Sequence, residues 1–573
     1  MISQSHFCTW FPVPLAKNMT LGYDGREELS QKRIGIVKRS SDSLLVQGSI
    51  LAIAGLLTKL LGFLYRIPMA NMLGEQGNGI YSVAFGIYNI ALTLSSYSLP
   101  AAVSKLISER LGRGDRPGVR LVFRTAVQFA LLAGACAAAV LFFGASGLET
   151  LYHRAGLSRP LRVLAPTAFV VALLGVLRGW FQGRGNMLPT AVSQVLEQVV
   201  NALVSLFATW QFLRIYRARP DQPSFGAAGG TLGTLAGAAA ALIFLWLLYR
   251  WSAVKPPATQ RPVERTEDVR RAMAVTVVPL MLSQTIYQLG STLDDLLFGS
   301  VMELQGVSDA VASSILGVYN TQYNQMTTLP VAITTAMAAT LLPGIALLRA
   351  QGRRKEAQRK VQTAVKWNMA LAIPAAVGLA VLARPIMELL FPRLTEYRML
   401  SVRMLQCGSF AVVFYALSTI TAAVLQGSDH MHAPVGNAAL ALACHVFLVY
   451  GLLRYTGLGV YSLIIGNVTF PMLLSLLNCR SISKKLHNQW EFRRTFLIPL
   501  LASVPMGLLA WGAYQGLSAL HLELPWALLL SVLAAAGFYV VAVTRLGCFT
   551  RSEFAELPMG GLLARIAGCP QKR

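Results

Sequence analysis

The sequence predicts an all-α integral membrane protein with fourteen transmembrane helices, arranged as two six-helix lobes in parallel repeat plus two C-terminal helices. Of its 573 residues, 54% are hydrophobic and 13% are charged, and the mean hydropathy is +0.53. A soluble domain has roughly a quarter of its residues charged. The 50 Lys and Arg residues outnumber the 25 Asp and Glu residues, but the cations cluster in short segments between apolar runs. That pattern orients membrane helices and argues against a nucleic-acid-binding protein.

The individual helices follow from apolar runs of sufficient length. A bilayer-spanning helix needs about 20 predominantly apolar residues, because no water is present in hydrocarbon to satisfy its backbone. The predicted spans are residues 44–70, 80–104, 121–145, 161–182, 188–213, 228–250, 272–300, 308–340, 364–384, 401–425, 434–453, 459–478, 496–517 and 524–545.

The loops between these spans predict the orientation. Lys and Arg are concentrated in the 2–3, 6–7, 8–9 and 12–13 loops, whereas the 1–2, 7–8 and 13–14 loops contain none. Basic loops remain cytoplasmic, so both termini are expected inside, although arginines in the 5–6 and 9–10 loops weaken the contrast. The predicted divisions are a cytoplasmic tail (1–43), an N-lobe (44–250), a cytoplasmic linker (251–271), a C-lobe (272–478), a cytoplasmic loop (479–495), the two last spans (496–545) and a cytoplasmic C-terminal tail (546–573).

Short landmarks recur in the same order in the two halves of the chain and indicate a duplication. Six spans per copy is an even number, so both copies have the same orientation and are related by an axis along the membrane normal. Two such lobes around a central cavity form a transporter architecture. The matched landmarks are "GIYN" at 86–89 with "GVYN" at 317–320, Pro100 with Pro330, and "FQGRGNMLP" at 181–189 with "LQGSDHMHAP" at 425–434.

No pattern of catalytic or metal-binding residues is evident. The sequence contains no G-x-x-x-x-G-K-[ST] phosphate loop, no H-E-x-x-H motif and no soluble catalytic domain, so neither enzymatic activity nor a cofactor is expected. The seven cysteines show no C-x-x-C pair and no zinc-like spacing, which predicts neither a disulfide nor a metal site. Two histidines in "HMH" at 430–432 are better explained by a solvated turn than by a metal.

Two cations in the first span are the main candidates for substrate binding. Lys59 and Arg66 lie within the apolar stretch "GLLTKLLGFLYRIP" at 55–68. Seven residues apart, they occupy nearly the same helix face, about 10 Å apart along the axis. A charge in hydrocarbon costs at least ~2.5 kcal/mol, so it normally faces a cavity or a partner. An anionic ligand is therefore the expected partner; the alternative is that both side chains extend to a membrane interface.

Further polar residues lie in three other spans. Asp294 and Asp295 in the seventh span are candidates for binding a coupling ion, Na⁺ or H⁺, because carboxylate oxygens suit hard cations. The alternative is an idle, hydrated carboxylate near the helix end. Hydrogen bonding to sugars is expected from Tyr88 and Asn89 in the second span and from Asn320 and Gln325 in the eighth, although such residues also hold helices together.

Four segments of the sequence resemble a known family. The runs "GSILAIAGLLTKLLGFLYRIPMANMLGEQGNGIYSVAFGIYNI", "LPAAVSKLISERLGRGD", "LLPGIALLRAQGRRKEAQRKV" and "IPAAVGLAVLARPIMELLFP" resemble the polysaccharide-export branch of the MOP (MATE-like) flippase superfamily. They look most like its stage V sporulation protein B (SpoVB) group, relatives of the lipid II flippase MurJ. The resemblance implies fourteen helices in two lobes, a central cationic cavity and outward flipping of undecaprenyl-pyrophosphate-linked sugars.

The resemblance also assigns roles to individual positions. Lys59 takes the place of the first arginine in the MurJ segment R-x-L-G-F-x-R, and Arg66 stands one residue after the second. Gln325 occupies the place of an eighth-span arginine, and the second-span arginine of MurJ is absent, so this cavity is expected to be less cationic. Asp294 matches the seventh-span aspartate that the family links to sodium.

The hypothesis is a flippase that carries a lipid-linked cell-wall or spore-cortex precursor, such as lipid II, across the bacterial cytoplasmic membrane by alternating access. Its partners would be a lipid-linked oligosaccharide and the bilayer, with no nucleic acid. Two alternatives remain open: a multidrug:cation antiporter of the same superfamily, and a scaffold that recruits cell-wall synthesis enzymes without transporting anything.

Overall fold

The computed structural model describes residues 32–251, 264–428, 430, 432–486, 490–550 and 553. Residues 32–49 are described only as the beginning of the first helix, so the packing discussed below concerns later residues. Most of the predicted N-terminal tail, most of the predicted linker 251–271 and most of the predicted C-terminal tail lie outside the described residues.

The described part of the chain is helical and contains no strand. The helices are α1 (Lys32–Ser95), α2 (Leu99–Gly112), α3 (Arg116–Phe143), α4 (Ala145–Leu151), α5 (Ser158–Gly183), α6 (Leu188–Ile215), α7 (Gln222–Trp251), α8 (Thr266–Leu304), α9 (Asp309–Gly317), α10 (Asn324–Ala350), α11 (Arg354–Val381), α12 (Ala383–Leu390), α13 (Arg398–Gly408), α14 (Ala411–Gly427), α15 (His432–Tyr455), α16 (Tyr461–Leu486), α17 (Ile498–Ala519) and α18 (Leu524–Arg545), with π-helical turns at Val318–Tyr323 and Arg493–Leu497.

The helical membrane class predicted from the sequence is confirmed. Among the described residues, ten helical segments are long and apolar enough to cross a membrane, or eleven when α13 and α14, bent by 48°, count as one span. Residues 53–112 enter this count as one segment. Short helices α4 and α12 have no counterpart in the prediction, because brief turns of helix beside a span leave no apolar run of their own. Helices α9 and α13 lie within or mostly within the predicted spans 308–340 and 401–425, which the structure divides.

Helix α1 contains a break where the sequence predicts the loop between spans one and two. Gly74 has φ 71° and ψ 175°, a conformation that is essentially restricted to glycine. The side-chain amide of Asn78 donates to the carbonyl oxygens of Ala70 (2.8 Å) and Gly74 (2.7 Å). These bonds satisfy carbonyl oxygens near the break, which are costly to leave buried without a donor. The chain therefore resumes its helix directly after Gly74 instead of forming an open loop.

The resumed part of α1 crosses α9 at very short distance. A Cβ atom added to Gly79 would lie 1.9 Å from the carbonyl oxygen of Ser313, and one added to Gly317 would lie 2.1 Å from that of Glu75. Small residues at such a crossing allow two helix backbones to approach closely. The crossing joins a helix of the predicted N-lobe to one of the predicted C-lobe.

Hydrophobic packing connects the same two halves. The cluster around Tyr88, Phe298 and Tyr323 includes buried residues from α1, α5, α8, α9, α13, α15 and α16. A second cluster packs Val269, Met273 and Val277 of α8 against α2, α3 and α5. Helix α8 thus contacts the first half of the chain near its N-terminus and the second half near its C-terminus.

We expect Gly317→Ala to destabilise the protein by about 1–3 kcal/mol, the usual cost of overpacking a tight contact. Gly512 of α17 is a matched control, because a Cβ atom there meets nothing within 4 Å and alanine is the better helix former. Thermal unfolding of the purified variants in detergent measures both effects. A Gly317→Ala protein as stable as Gly512→Ala would contradict the close crossing.

Candidate functional site

A cavity of about 190 Å³ lies beside the crossing of α1 and α9, and we call it the Arg66 cavity. It is small for an organic ligand, since drug-sized molecules occupy about 300–1,000 Å³. Its walls combine one guanidinium, one carboxylate and several amides and hydroxyls. The lining residues are Arg66, Met69, Ala70, Asn78, Tyr81, Ser82, Phe85, Gly86, Asn89, Ser291, Asp295, Asn320, Thr321 and Gln325.

Arg66 supplies the cation of this cavity. Its guanidinium carbon lies 5.5 Å from the ring centroid of Phe85, a cation–π distance. Its Nε atom is buried and has no hydrogen-bond partner within the part of the chain that the structure describes. A buried donor without a partner is costly, so this atom is available to an anionic ligand.

Lys59 is exposed and lines neither this cavity nor the one described below. At 100° per residue, it lies within about 20° of Arg66 around the helix and about 130° from the centre of an exposed apolar stripe on α1. That stripe has the period expected of a lipid-facing surface. It consists of Ile53, Leu57, Leu60 and Leu64.

Asp295 and Asn320 are bonded to each other on one wall of the Arg66 cavity. The Asn320 side-chain amide donates to Asp295 Oδ1 at 2.8 Å and to the Ser82 hydroxyl oxygen at 3.3 Å. Gln325 donates to the carbonyl oxygen of Phe63 at 3.1 Å and so ties α10 to α1. The cavity therefore carries charges of both signs, and its wall is assembled from α1, α8 and α10 with the π-helical turn.

Asp294 lies in a second cavity, of about 410 Å³, which we call the Asp294 cavity. Its carboxylate Oδ1 is 2.8 Å from Nε2 of His445 on α15, and the other ring nitrogen, Nδ1, is 3.2 Å from the carbonyl oxygen of Gly466 on α16. Asp294, Asp295 and His445 are each 4% exposed. The two adjacent aspartates thus face different cavities.

A chain of hydrogen-bonded amides connects the two cavities. From Asp295 it passes to Asn320, which accepts from the Asn324 amide at 3.1 Å. The Asn467 amide then lies 3.5 Å from Asn324 Oδ1 and 3.3 Å from the Tyr319 hydroxyl. A change in the hydrogen bonds at one cavity can alter those at the other through this series of amides, because the orientation of each amide depends on its neighbours.

Ionic contacts join the two halves of the chain at both ends of the helices. At one end, Arg154 Nη1 lies 3.1 Å from Asp309 Oδ1, and the backbone N–H of Ala155 donates to Asp309 Oδ2 at 2.8 Å. We call this contact the Arg154–Asp309 junction; the imidazole of His153 contacts the carboxylate of Glu303 beside it. At the other end, Arg110 of α2 pairs with Glu264, just before α8.

An apolar cavity of about 590 Å³ lies between α11, α17 and α18. Trp367, Pro374 and Gly378 of α11 line one side, and Met506 of α17 and Tyr539 of α18 line the other. An apolar chain fits such a lining without leaving polar groups unpaired.

The structure brings five of the predicted site residues to one cavity and leaves others apart. Arg66, Asn89, Asp295, Asn320 and Gln325 line the Arg66 cavity, whereas Asp294 lines its own cavity. Tyr88 is 2% exposed and belongs to the hydrophobic core, and Lys59 is exposed outside both cavities.

Sequence reasoning missed His445, Asn467 and Arg154. His445 could have been noticed, because an ionisable residue within a predicted span is a functional candidate by default. Asn467 carried the same signal as Asn320, since it is a polar residue within the predicted span 459–478. No local signal pointed to Arg154, whose importance depends on a partner that is distant in the chain.

We expect Asn320→Leu to destabilise the protein by roughly 1–3 kcal/mol, because the buried carboxylate of Asp295 loses its amide donor. Replacing both groups should restore part of the loss, so the double variant Asp295→Leu with Asn320→Leu should unfold at a higher temperature than Asn320→Leu alone. A double-mutant cycle of thermal unfolding measures the coupling. Strictly additive effects would contradict the Asp295–Asn320 bond.

The sequence matches a known protein family and several characterised relatives. Residues 44–349 match the family described as "Polysaccharide biosynthesis protein". The chain is 25% identical over 522 residues to stage V sporulation protein B of Bacillus subtilis (strain 168), an alignment that covers 90% of this chain and 97% of that protein. It is 24% identical over 434 residues to the lipid II flippase MurJ of Bacillus subtilis (strain 168), covering 72% and 78%.

Solved structures share the fold. A lipid II flippase MurJ in an inward closed conformation aligns with a TM-score of 0.65 and 14% identity, covering 87% of this chain and 98% of that one. An inward-facing multidrug resistance MATE transporter of the MOP superfamily aligns with a TM-score of 0.62 and 18% identity, covering 76% and 99%. The resemblance predicted from the sequence is confirmed. Because the family match covers more than half of the chain, this multi-pass membrane protein belongs to the polysaccharide biosynthesis protein family.

Proposed function

We propose that this protein is a flippase that moves an undecaprenyl-pyrophosphate-linked saccharide, lipid II or a related cell-wall or spore-cortex precursor, outward across the bacterial cytoplasmic membrane. The observation that carries the proposal is Arg66, a cation in the wall of a polar cavity, whose buried Nε lacks a partner among the described residues. A pyrophosphate is the group that such a cation stabilises, because charge-assisted bonds to phosphate are strong.

Lys59 extends the same cationic face toward one end of α1. It shares the side of the helix that Arg66 occupies and lies away from the apolar stripe. We assign it the first contact with the incoming headgroup and Arg66 the deeper one. Asn89, Asn320 and Gln325 would bond to phosphate or sugar oxygens, and Tyr88 would support this wall from the core.

The size of the Arg66 cavity limits what the described conformation can hold. About 190 Å³ admits a phosphate group but not a saccharide chain, so binding of the whole headgroup requires the helices to separate. The apolar cavity between α11, α17 and α18 would accept part of the polyprenyl chain. With the cytoplasm negative, outward movement of each negative charge is favourable by about 2.3 kcal/mol per 100 mV.

Alternating access would proceed by breaking the two ionic closures in turn. With both termini cytoplasmic, the Arg110–Glu264 pair closes the cytoplasmic end and the Arg154–Asp309 junction closes the outer end. Both are present together, which corresponds to an occluded state. Asp294 and Asp295 are the carboxylates available to a coupling cation, Na⁺ or H⁺, that returns the empty carrier.

The proposed architecture keeps fourteen spans. Counting the two sides of the Gly74 break separately, and adding α8 and α10 to the eleven apolar segments, gives that number. Spans one to six and seven to twelve would form the two lobes, and α17 and α18 would be the additional pair.

The antiporter alternative has support from the fold, since the MATE transporter aligns with a TM-score of 0.62. A cationic drug would, however, have to bind beside Arg66 without displacing the Asn320 amide from Asp295. A scaffold for cell-wall enzymes would not need a cavity cation whose Nε lacks a partner among the described residues. The flippase therefore accounts for more of the site than either alternative.

We expect Lys59→Gln and Arg66→Gln each to lower headgroup translocation roughly tenfold or more, because a charge-assisted bond contributes about 1.5–3 kcal/mol. The assay depletes the host's lipid II flippase, supplies this gene and measures accessibility of the precursor headgroup on the outer face. Lys105→Gln is a matched control, since Lys105 is exposed on α2 and lines neither cavity.

Loss of rescue in Lys59→Gln and Arg66→Gln, with normal membrane abundance and normal rescue by Lys105→Gln, supports the flippase. Wild-type rescue that neither Lys59→Gln nor Arg66→Gln reduces would reject these site assignments. No rescue by the wild-type protein would remove lipid II as the cargo.

We expect Asp309→Asn to favour the outward-open state, because Arg154 loses its ionic partner at the outer junction. The change should raise the reactivity of a cysteine introduced at Ser313, a buried residue that contacts Asp309, toward a membrane-impermeant maleimide. Glu264→Gln, which weakens the opposite closure, serves as the comparison and should not raise that reactivity. Equal labelling of both variants would contradict the assignment of the junction as the outer gate.

A further inference from the structure

The residues around Asp294 do not fit the sodium ion that the family resemblance implies. Hard cations bind through several oxygen ligands, whereas imidazole suits softer metals. One carboxylate oxygen of Asp294 is already occupied by His445 Nε2. Within the described residues, no group of three or more Asp, Glu, His or Cys side chains is arranged to hold a metal ion.

The amide oxygens of Asn324 and Asn467 in this cavity are also engaged. Asn467 Oδ1 lies 3.1 Å from the Tyr323 hydroxyl, and Asn324 Oδ1 lies 3.5 Å from the Asn467 amide. A sodium ion would have to displace these bonds and bind beside an imidazole that becomes cationic when protonated. The geometry therefore disfavours sodium at this position.

We propose that Asp294 and His445 form a proton-binding pair, and that this protein couples transport to H⁺ through it in place of Na⁺. The inference rests on the proposed transport function and names the coupling ion of that same site. It follows from the two contacts of the imidazole ring and from the position of the pair in the wall of a cavity between helices.

The ring contacts determine how many protons the pair holds. A carbonyl oxygen only accepts hydrogen bonds, so Nδ1 of His445 carries a hydrogen toward Gly466. The 2.8 Å separation between Nε2 and Asp294 Oδ1 then requires one further proton between them. With that proton the pair has no net charge, whichever atom holds it.

Loss of the shared proton creates an unfavourable arrangement. The carboxylate would then face the lone pair of Nε2, and a net charge of −1 would remain buried without compensation. The proton is therefore released only when the pair is hydrated or its two helices separate. Binding adds one proton and brings the pair from −1 to 0, which links protonation to the approach of α8 and α15.

The surroundings contain no cation that would replace the proton. Asp295 is adjacent on α8, and the titratable groups that line the cavity from other elements are Tyr319 of the π-helical turn and Tyr415 of α14. Helix α10 contributes Asn324 and α16 contributes Asn467 and Phe470. Within the described lining there is no lysine or arginine, so the proton is the available positive charge.

The proton site is connected to the substrate site. Asn324 and Asn467 line the Asp294 cavity and continue through Asn320 to Asp295 in the Arg66 cavity. Separation of α8 from α15 on loss of the proton would move Asp295, which lies on the same helix, and alter the charge presented to the headgroup. This connection gives protonation a physical route to the cargo.

The test uses the purified full-length protein in nanodiscs without cargo. Spin labels at Thr150→Cys and Ser308→Cys report the opening of the Arg154–Asp309 junction by distance measurement. The background lacks the natural cysteines and carries His153→Gln, so that the imidazole beside the junction does not contribute to the readout. We expect the open fraction to depend on pH, with its open/closed ratio changing at most about tenfold per pH unit for a single proton. Exchange of K⁺ for Na⁺ at constant ionic strength should have no effect.

His445→Gln and Asp294→Asn should each abolish the pH dependence. His432→Gln is the matched control, because His432 is an exposed residue of the same helix, α15. A junction that responds to Na⁺, or a pH dependence retained by both pair variants, would overturn the proposal. Since a variant can fail to fold, ¹⁵N-histidine spectra of the wild-type protein provide a second measurement.

In those spectra, the resonances absent from His445→Gln should show Nδ1 protonated across the range in which the junction is closed. A closed wild-type junction with an Nδ1 that carries no hydrogen would also reject the pair. Failure of the proton-pair proposal can be distinguished from failure of the proposed cargo. A pH-responsive junction in a protein that fails to flip lipid II would support the proton pair and reject lipid II as the cargo. Rescue of lipid II flipping together with a junction that responds to Na⁺ would support the cargo and reject the proton pair.

Discussion

The architecture depends on the crossing of α1 and α9 at Gly79 and Gly317. Because the two backbones approach without intervening side chains, Ser82 of α1 reaches Asn320, and Asn320 reaches Asp295. Arg66 lies on the preceding part of α1 and faces the same space. Larger residues at the crossing would separate α1 from the π-helical turn and divide the wall of the Arg66 cavity.

Much of this site was predictable because a membrane restricts where polar side chains can lie. An intramembrane Arg66, Asp295 or Asn320 has to face a cavity or a partner, and helical periodicity indicates which residues share that face. The same reasoning predicted that Lys59 and Arg66 lie on one side of α1, and the exposed apolar stripe on the other side of the helix supports this prediction. It could not say that Lys59 lies outside the cavity, since the depth of a residue along a helix depends on how the neighbouring helices tilt.

The remaining features depend on contacts between distant segments. His445 was visible as a histidine within a predicted span, but its bond to Asp294 joins residues 151 positions apart. The helix that continues past Gly74 was predicted as a loop, because the compensating bonds come from the Asn78 side chain and not from the backbone pattern. Arg154 precedes α5 and Asp309 begins α9, and their contact follows only from the packing of α5, α8 and α9.

The number of residues in the π-helical turn at Val318–Tyr323 determines which side chains line the Arg66 cavity downstream of it. A π turn closes its hydrogen bonds over one residue more than an α turn does, and here it separates Asn320 from Asn324 and Gln325. Removing a single residue from it, with the rest of the helix retained, would rotate everything downstream by about 100°. Relatives that differ by one insertion or deletion in this segment would therefore present a different set of side chains to their ligands, even where the amino acids themselves are unchanged.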